Sequence, residues 1–256
     1  MSFSLPRSKI IYLSDGAVTP VESFTPKSIS GLLVWHDTSD VGSMILDGSN
    51  RCAQISDKSG NGNTSVQGVV TRQPVYQAIA GQNGLNFATN KVLGSATNAA
   101  FNMQSFTACF VFRMNGAGGN LMNDSGGSGI YNANILSTRR RNFRFRSGTN
   151  AITTAHTEAV TVITNQTNRY FDWAFSRSGS DIVSSSKSGG GSELTYSSSV
   201  GMTVSATNGL IFGASTALGG ANITGGLLEW AIFNRQLTTD ERTQLFNYFD
   251  TKWSIP

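Results

Sequence analysis

The chain has 256 residues and a net charge of +4, from 19 Lys and Arg against 15 Asp and Glu. Charged residues make up only 13%, against about 25% in an ordinary globular protein, so Ser, Thr, Asn, Gln and Gly must cover much of the surface. So mild a charge does not by itself indicate nucleic-acid binding, and 28 Gly beside 5 Pro point to many tight turns and few long helices.

Residues 1–25 read as an arm with one short strand candidate, Lys9–Leu13, and with Pro20 and Pro26 near its end. The opening MSFSLPRSKIIYLSDGAVTP lacks an apolar stretch of signal-peptide length, so synthesis in a cytoplasm is expected. From Ile29 onward short strands follow one another. Gly31–His36 is a compact apolar strand, and Gly84–Ala88 alternates. Phe106–Met114 is the clearest case: Phe106, Ala108, Phe110, Phe112 and Met114 point one way, and Thr107, Cys109, Val111 and Arg113 the other. Tyr170–Arg177, Asn208–Gly213 and Leu227–Asn234 complete the strong strand candidates. The loops between them are rich in Gly, Ser and Asn, which is the pattern of a sandwich or jelly roll.

One helix is expected at the end. Thr238 and Glu241 form a capping box, Asp240 and Glu241 suit the helix dipole, and Leu245, Phe246, Phe249 and Trp253 form an apolar stripe. No apolar stretch approaches the length of a membrane span. Cys52 and Cys109 stand outside any CxxC pair, and with His36 and His156 they make no zinc pattern. Buried free thiols are preferred for them, with a Cys52–Cys109 disulfide left open.

Several motifs occur in a recognisable order. Pro26–Ser39 (PKSISGLLVWHDTS) is followed by Asp57–Asn63 (DKSGNGN), Pro74 and Gly84–Phe87. Gly225–Leu237 (GGLLEWAIFNRQL) then leads into Thr238–Trp253. Taken together, residues 26–256 resemble the concanavalin A-like, or laminin G-like, domains of phage and bacterial proteins. The resemblance implies an all-β, antiparallel two-sheet jelly-roll sandwich with one C-terminal α-helix, preceded here by an extended N-terminal arm at residues 1–25. It also implies sugar binding, adhesion or assembly as the use of the fold.

Catalysis is not expected. Glycoside hydrolases need two carboxylates across the scissile bond, and the related glucanases cluster theirs on one strand. Glu229 has no carboxylate at the second or fourth position beyond it, so it reads as a polar strand residue or a partner for a loop backbone. There is no G-x-S-x-G elbow and no phosphate loop.

Laminin G-like domains often bind calcium through loop oxygens, so the resemblance makes Asp37 and Asp57 candidate ligands, with Asn61 and Asn63 beside them. The same residues read as caps of tight turns, which the lack of a dense acidic run favours. In Arg139–Arg146 (RRRNFRFR), a strand would align Arg140, Asn142, Arg144 and Arg146 on one face. That row is either a solvated face that discourages edge pairing or a contact for an anionic partner. Trp35, Trp173, Trp230 and Trp253 read as core, whereas Tyr76, Tyr131 and Tyr196 are the candidates for stacking on a sugar.

The expected function is a non-enzymatic structural protein of a phage virion, exposed on the particle as a capsid decoration or as a tail or fibre component. Its expected partners are other virion proteins, further copies of itself and a host surface glycan. Calcium is the one cofactor considered. The alternative is a glycan-active enzyme, a glycoside hydrolase or lyase of the same fold.

Overall fold

Both faces of the Phe106–Met114 alternation are buried. Phe106, Ala108, Phe110 and Phe112 lie in one apolar cluster, and Cys109 and Val111 lie in another. A strand that is apolar on both faces needs a layer on each side, and the computed structural model of the protein supplies both. It describes residues 23–79, 81–88, 90–101, 103, 105–114, 119–124, 132–137, 140–147, 150–156, 170–178, 181–188, 194–199, 209–214, 223 and 225–254. For the strands between 132 and 199, and for residues 114 and 124, the backbone alone is described.

In chain order the strands are β1 (Leu32–Asp37), β2 (Met44–Leu46), β3 (Cys52–Ile55), β4 (Ser65–Val66), β5 (Val75–Ile79), β6 (Gln82–Asn86), β7 (Leu93–Ser95), β8 (Ser105–Met114) and β9 (Gly119–Asp124). They continue as β10 (Asn132–Ser137), β11 (Arg140–Ser147), β12 (Asn150–His156), β13 (Tyr170–Ser178), β14 (Asp181–Ser188), β15 (Leu194–Ser199), β16 (Leu210–Phe212) and β17 (Gly225–Phe233), followed by helix α1 (Thr239–Trp253). One sheet runs β15-β14-β13-β8-β17-β6-β5, with β1 also paired to β17. The other runs β12-β11-β10-β9-β16-β7-β4-β3-β2.

The main core lies between the sheets. Phe106, Phe110, Leu85 and Trp230 of the first sheet meet Ile55, Leu93, Met122 and Phe212 of the second. The other face of the first sheet is covered by α1, whose Leu245, Phe246, Phe249 and Trp253 pack with Trp35, Cys109, Val111 and Phe233. The protein is therefore an antiparallel two-sheet jelly-roll-like sandwich with one C-terminal helix laid across the first sheet, as the sequence leads one to expect. Residues 1–22 of the expected arm lie outside the described residues.

The capping box forms as its residues dictate. Thr238 Oγ1 accepts from the Glu241 amide at 3.3 Å, and Glu241 Oε2 accepts from the Thr238 amide at 2.9 Å. Cys52 and Cys109 are free thiols in separate clusters, one between the sheets and one beneath α1. Burial pushes the Cys52 thiol up to about 12.

β17 holds the centre, and all nine of its residues are buried. Its register with β8 slips between Leu227 and Glu229, which is a β-bulge at Leu228. The extra residue turns both Leu228 and Glu229 toward the helix, while Leu227 and Trp230 stay in the main core. The carbonyl freed at Leu228 accepts from the Thr38 amide at 3.0 Å and from the Thr38 hydroxyl at 2.7 Å. Gly213 makes another close approach: its φ is +80°, and a Cβ there would strike the Phe87 ring.

Candidate functional site

β1 pairs with β17 along one edge, and the Asp57–Asn63 turn folds over the other. Asp57 Oδ1 accepts from the amides of Trp35 and Ser59, each at 2.9 Å. Asp57 Oδ2 accepts from the Asn63 amide at 2.9 Å and the Ser59 hydroxyl at 2.7 Å. Asn63 Nδ2 donates to the Leu33 carbonyl at 2.9 Å, and the Lys58 amide donates to the Trp35 carbonyl at 2.7 Å. Gly60 sits in the left-handed region at φ +97°, where the turn reverses. The edge of β1 is thus satisfied by a turn rather than by another strand, which keeps it from pairing with foreign chains.

A buried ionic group lies on the opposite side, between β1, β17 and α1. Asp37 and Glu229 are cross-strand partners. The Lys252 ammonium sits 2.7 Å from Asp37 Oδ2 and 2.7 Å from Glu229 Oε2, and donates to the Tyr248 oxygen at 3.0 Å. Glu229 is fully buried, yet its carboxylate also accepts from the Trp35 indole at 2.7 Å, the Trp253 indole at 2.7 Å and the Tyr248 hydroxyl at 2.9 Å. Burial pushes the Glu229 pKa up, and Lys252 opposes it. With four donors aimed at two oxygens, the arrangement is that of the anion. For Asp37, burial is outweighed by Lys252, by the Ser39 bond and by Lys58, which together hold it below its ordinary value. Burial and the Glu229 charge push the Tyr248 phenol well up.

His36 faces the other way, into the main core. Its Nδ1 lies 3.1 Å from the Ser56 carbonyl and must donate to it, so Nε2 accepts from the Ser65 hydroxyl at 2.9 Å. Its ring packs edge-on against Trp230 and Phe212. Burial drives its pKa down to about 4, against the Ser56 bond and the Asp57 charge.

Beside the ionic group a cleft of ≈ 610 Å³ opens between Ser23–Thr25 and one face of α1. Phe24, Gln244, Asn247, Tyr248, Thr251 and Lys252 contribute to its lining. The Phe24 and Tyr248 rings meet at 6.0 Å with an interplanar angle of 63°. A smaller cleft of ≈ 370 Å³ adjoins it, sharing Ser23 and Thr25 and reaching Lys27 and Ser28.

No protein-family model and no curated protein sequence matches the chain. Solved structures do. The binding domain of botulinum neurotoxin DC in complex with SialylT matches with a TM-score of 0.60 and 12% identity, over 88% of this chain and 52% of that one. A structure describing botulinum neurotoxin type C entry through two ganglioside molecules matches at 0.57 and 15%, over 82% and 52%. A GH54 α-L-arabinofuranosidase soaked with a cyclic sulfate inhibitor matches at 0.57 and 13%, over 77% and 50%. The chain shares the β-sandwich fold of these proteins and spans about half the length of each.

The residues expected to form sites from sequence do not converge. Tyr76 lies on β5 and is half-buried against the main core. Tyr196 lies on β15, at the opposite end of the same sheet, six strand spacings or about 29 Å along it. Tyr131 falls outside the described residues. Arg140, Arg144 and Arg146 lie on β11 in the other sheet, and β11 is paired on both sides by β10 and β12, so it is not an edge strand. Asp37 Oδ1 is engaged by the Ser39 amide and hydroxyl, and its Oδ2 by Lys58 and Lys252. Asp57 is engaged by the four donors named above. Both carboxylates have the bonding of turn caps and ion-pair partners, and no group of three or more His, Cys, Asp and Glu able to hold a metal occurs among the described residues. Trp35, Trp230 and Trp253 are core, as expected. No helix among the described residues is long and apolar enough to cross a membrane.

The Lys252–Tyr248 part of the site was not read from sequence, although a signal exists. Glu229 is a lone charge in an otherwise apolar strand and demands a buried partner. Tyr248 and Lys252 stand four apart on the following helix, on one face.

Proposed function

We propose that the chain is a non-enzymatic structural protein of a phage virion, exposed on the particle, whose sandwich recognises glycan. The observation that carries the non-enzymatic part is the Asp37–Lys252–Glu229 bridge. These facing carboxylates are sealed under α1, with Glu229 fully buried and every oxygen engaged, so neither can reach a glycosidic bond. The glycan part draws support from the fold shared with a domain solved in complex with SialylT. The virion part draws on the resemblance of Pro26–Ser39, Asp57–Asn63 and Gly225–Trp253 to concanavalin A-like domains of phage and bacterial proteins. In this reading the partners are other virion proteins and further copies of the chain, and the protein is made in the host cytoplasm.

Mass spectrometry of purified particles, with immunogold labelling, is expected to place the chain on the virion surface. Its absence from particles sinks the virion reading. A glycan array with the purified chain tests recognition separately. The enzymatic alternative has the arabinofuranosidase likeness in its favour, and release of reducing sugar from a polysaccharide by the purified chain would establish it.

A further inference from the structure

We infer that the cleft between Ser23–Thr25 and α1 is a binding site for a neutral saccharide; this rests on the glycan-recognition reading and adds its location and ligand class. Gln244, Asn247, Tyr248, Thr251 and Lys252 recur at helical spacing on one face of α1, beside the stripe that packs into the core. Gln244, Asn247 and Thr251 are exposed there. No protein group among the described residues bonds the carboxamides of Gln244 and Asn247. Each carboxamide both donates and accepts, as a sugar hydroxyl does. The Phe24 and Tyr248 rings meet in the lining of the cleft and supply apolar surface for the C–H side of a pyranose. The volume of ≈ 610 Å³ lies within the ordinary range of small-ligand sites.

Charge decides the ligand class. Lys252 is the cation of the lining, and its three N–H groups are spent on Asp37, Glu229 and the Tyr248 oxygen. It has none left for a sulfate, phosphate or carboxylate. Lys27 lines the adjoining cleft instead. The tyrosines on β5 and β15 lie elsewhere on the sandwich and take no part in this site.

The test is a glycan array of neutral, sialylated and sulfated saccharides, read with the purified full chain, with Gln244→Ala/Asn247→Ala and with Tyr76→Ala. Both carboxamides are exposed and have no hydrogen-bond partner among the described residues, so the double variant keeps the melting temperature of the wild type. The expected result is capture of neutral saccharides by wild type and Tyr76→Ala, with binding at least about tenfold weaker in the double variant. Undiminished binding by the double variant overturns the site but leaves glycan recognition standing. Hits confined to charged saccharides overturn the ligand class. No binding by the wild type overturns this inference and the glycan reading together.

Discussion

Asp37 and Glu229 stand directly opposite one another on β1 and β17, two carboxylates in cross-strand register, and the Lys252 ammonium lies 2.7 Å from each. Like charges so placed destabilise a sheet. Here the repulsion becomes an attachment point for the helix that follows. Lys252→Met is expected to destabilise the protein by about 3 kcal/mol, because it leaves buried charge without its counter-ion. Combining it with Glu229→Gln should recover part of that loss. Urea denaturation of the two single variants and the double variant measures this, and additive losses would show that the groups do not interact.

His36 sets a pH dependence. Its folded pKa of about 4 lies below the ordinary histidine value of 6.5, so the folded state favours the neutral ring. The stability this contributes is fully present above pH 6.5 and is lost as pH falls toward 4. The advantage of wild type over His36→Gln should therefore shrink by about 3 kcal/mol across that window. Glu229, raised by burial, shifts stability in the opposite sense, but it is common to both proteins and cancels in the difference. Denaturation midpoints of the pair from pH 7 to 4 check this; a constant difference would refute it.

Asp57→Ala should cost about 2–4 kcal/mol, because it strips acceptors from the amides of Trp35, Ser59 and Asn63 together. The Trp35 amide is the telling probe. Its hydrogen exchange should accelerate with that of its turn partners, whereas loss of a merely exposed carboxylate would leave it slow.

Two glycines in the left-handed region separate strain from crowding. Gly60→Ala meets no neighbour within 4 Å and should lose about 1 kcal/mol from backbone conformation alone. Gly213→Ala drives a methyl into Phe87 as well and should lose about 3 kcal/mol or more. Thermal melts of the two variants give the comparison, and equal losses would remove crowding as the cause.

Excess EDTA should leave the melting temperature unchanged. A cation bound at a hundred times its Kd would add about 2.7 kcal/mol, which is several degrees for a domain of this size. A drop of that size on chelation would mean that Asp37 and Asp57 exchange their protein donors for calcium.

Much of the sandwich was legible in the residues. The alternation of Phe106–Met114 announced a strand, and Thr238 with Glu241 announced the helix start. Periodicity reports which residues are buried, but not what a buried polar group meets. Glu229 therefore read as a polar strand residue. Its true surroundings depend on a one-residue bulge at Leu228, and no period of two contains a bulge. Asp57 was legible as a turn cap, yet the edge it covers belongs to a strand more than twenty residues earlier, a pairing that local spacing does not encode. The distance between Tyr76 and Tyr196 was hidden for a similar reason: sheet order separates β5 from β15, and sheet order is a property of the whole chain.

The bond from the Trp35 indole to Glu229 spans 194 residues of sequence. Among the described strands β1 pairs with β17 alone, so it lacks its strand neighbour until almost the whole sandwich has been translated. At roughly 5–20 residues per second, a ribosome takes on the order of 10–40 s to cover that interval. During that time Leu32–Trp35 waits without its strand partner, whereas β8 can already pair with β13. Closure of β1 onto β17 thus comes late and joins far-separated parts of the chain, the condition under which folding is slow.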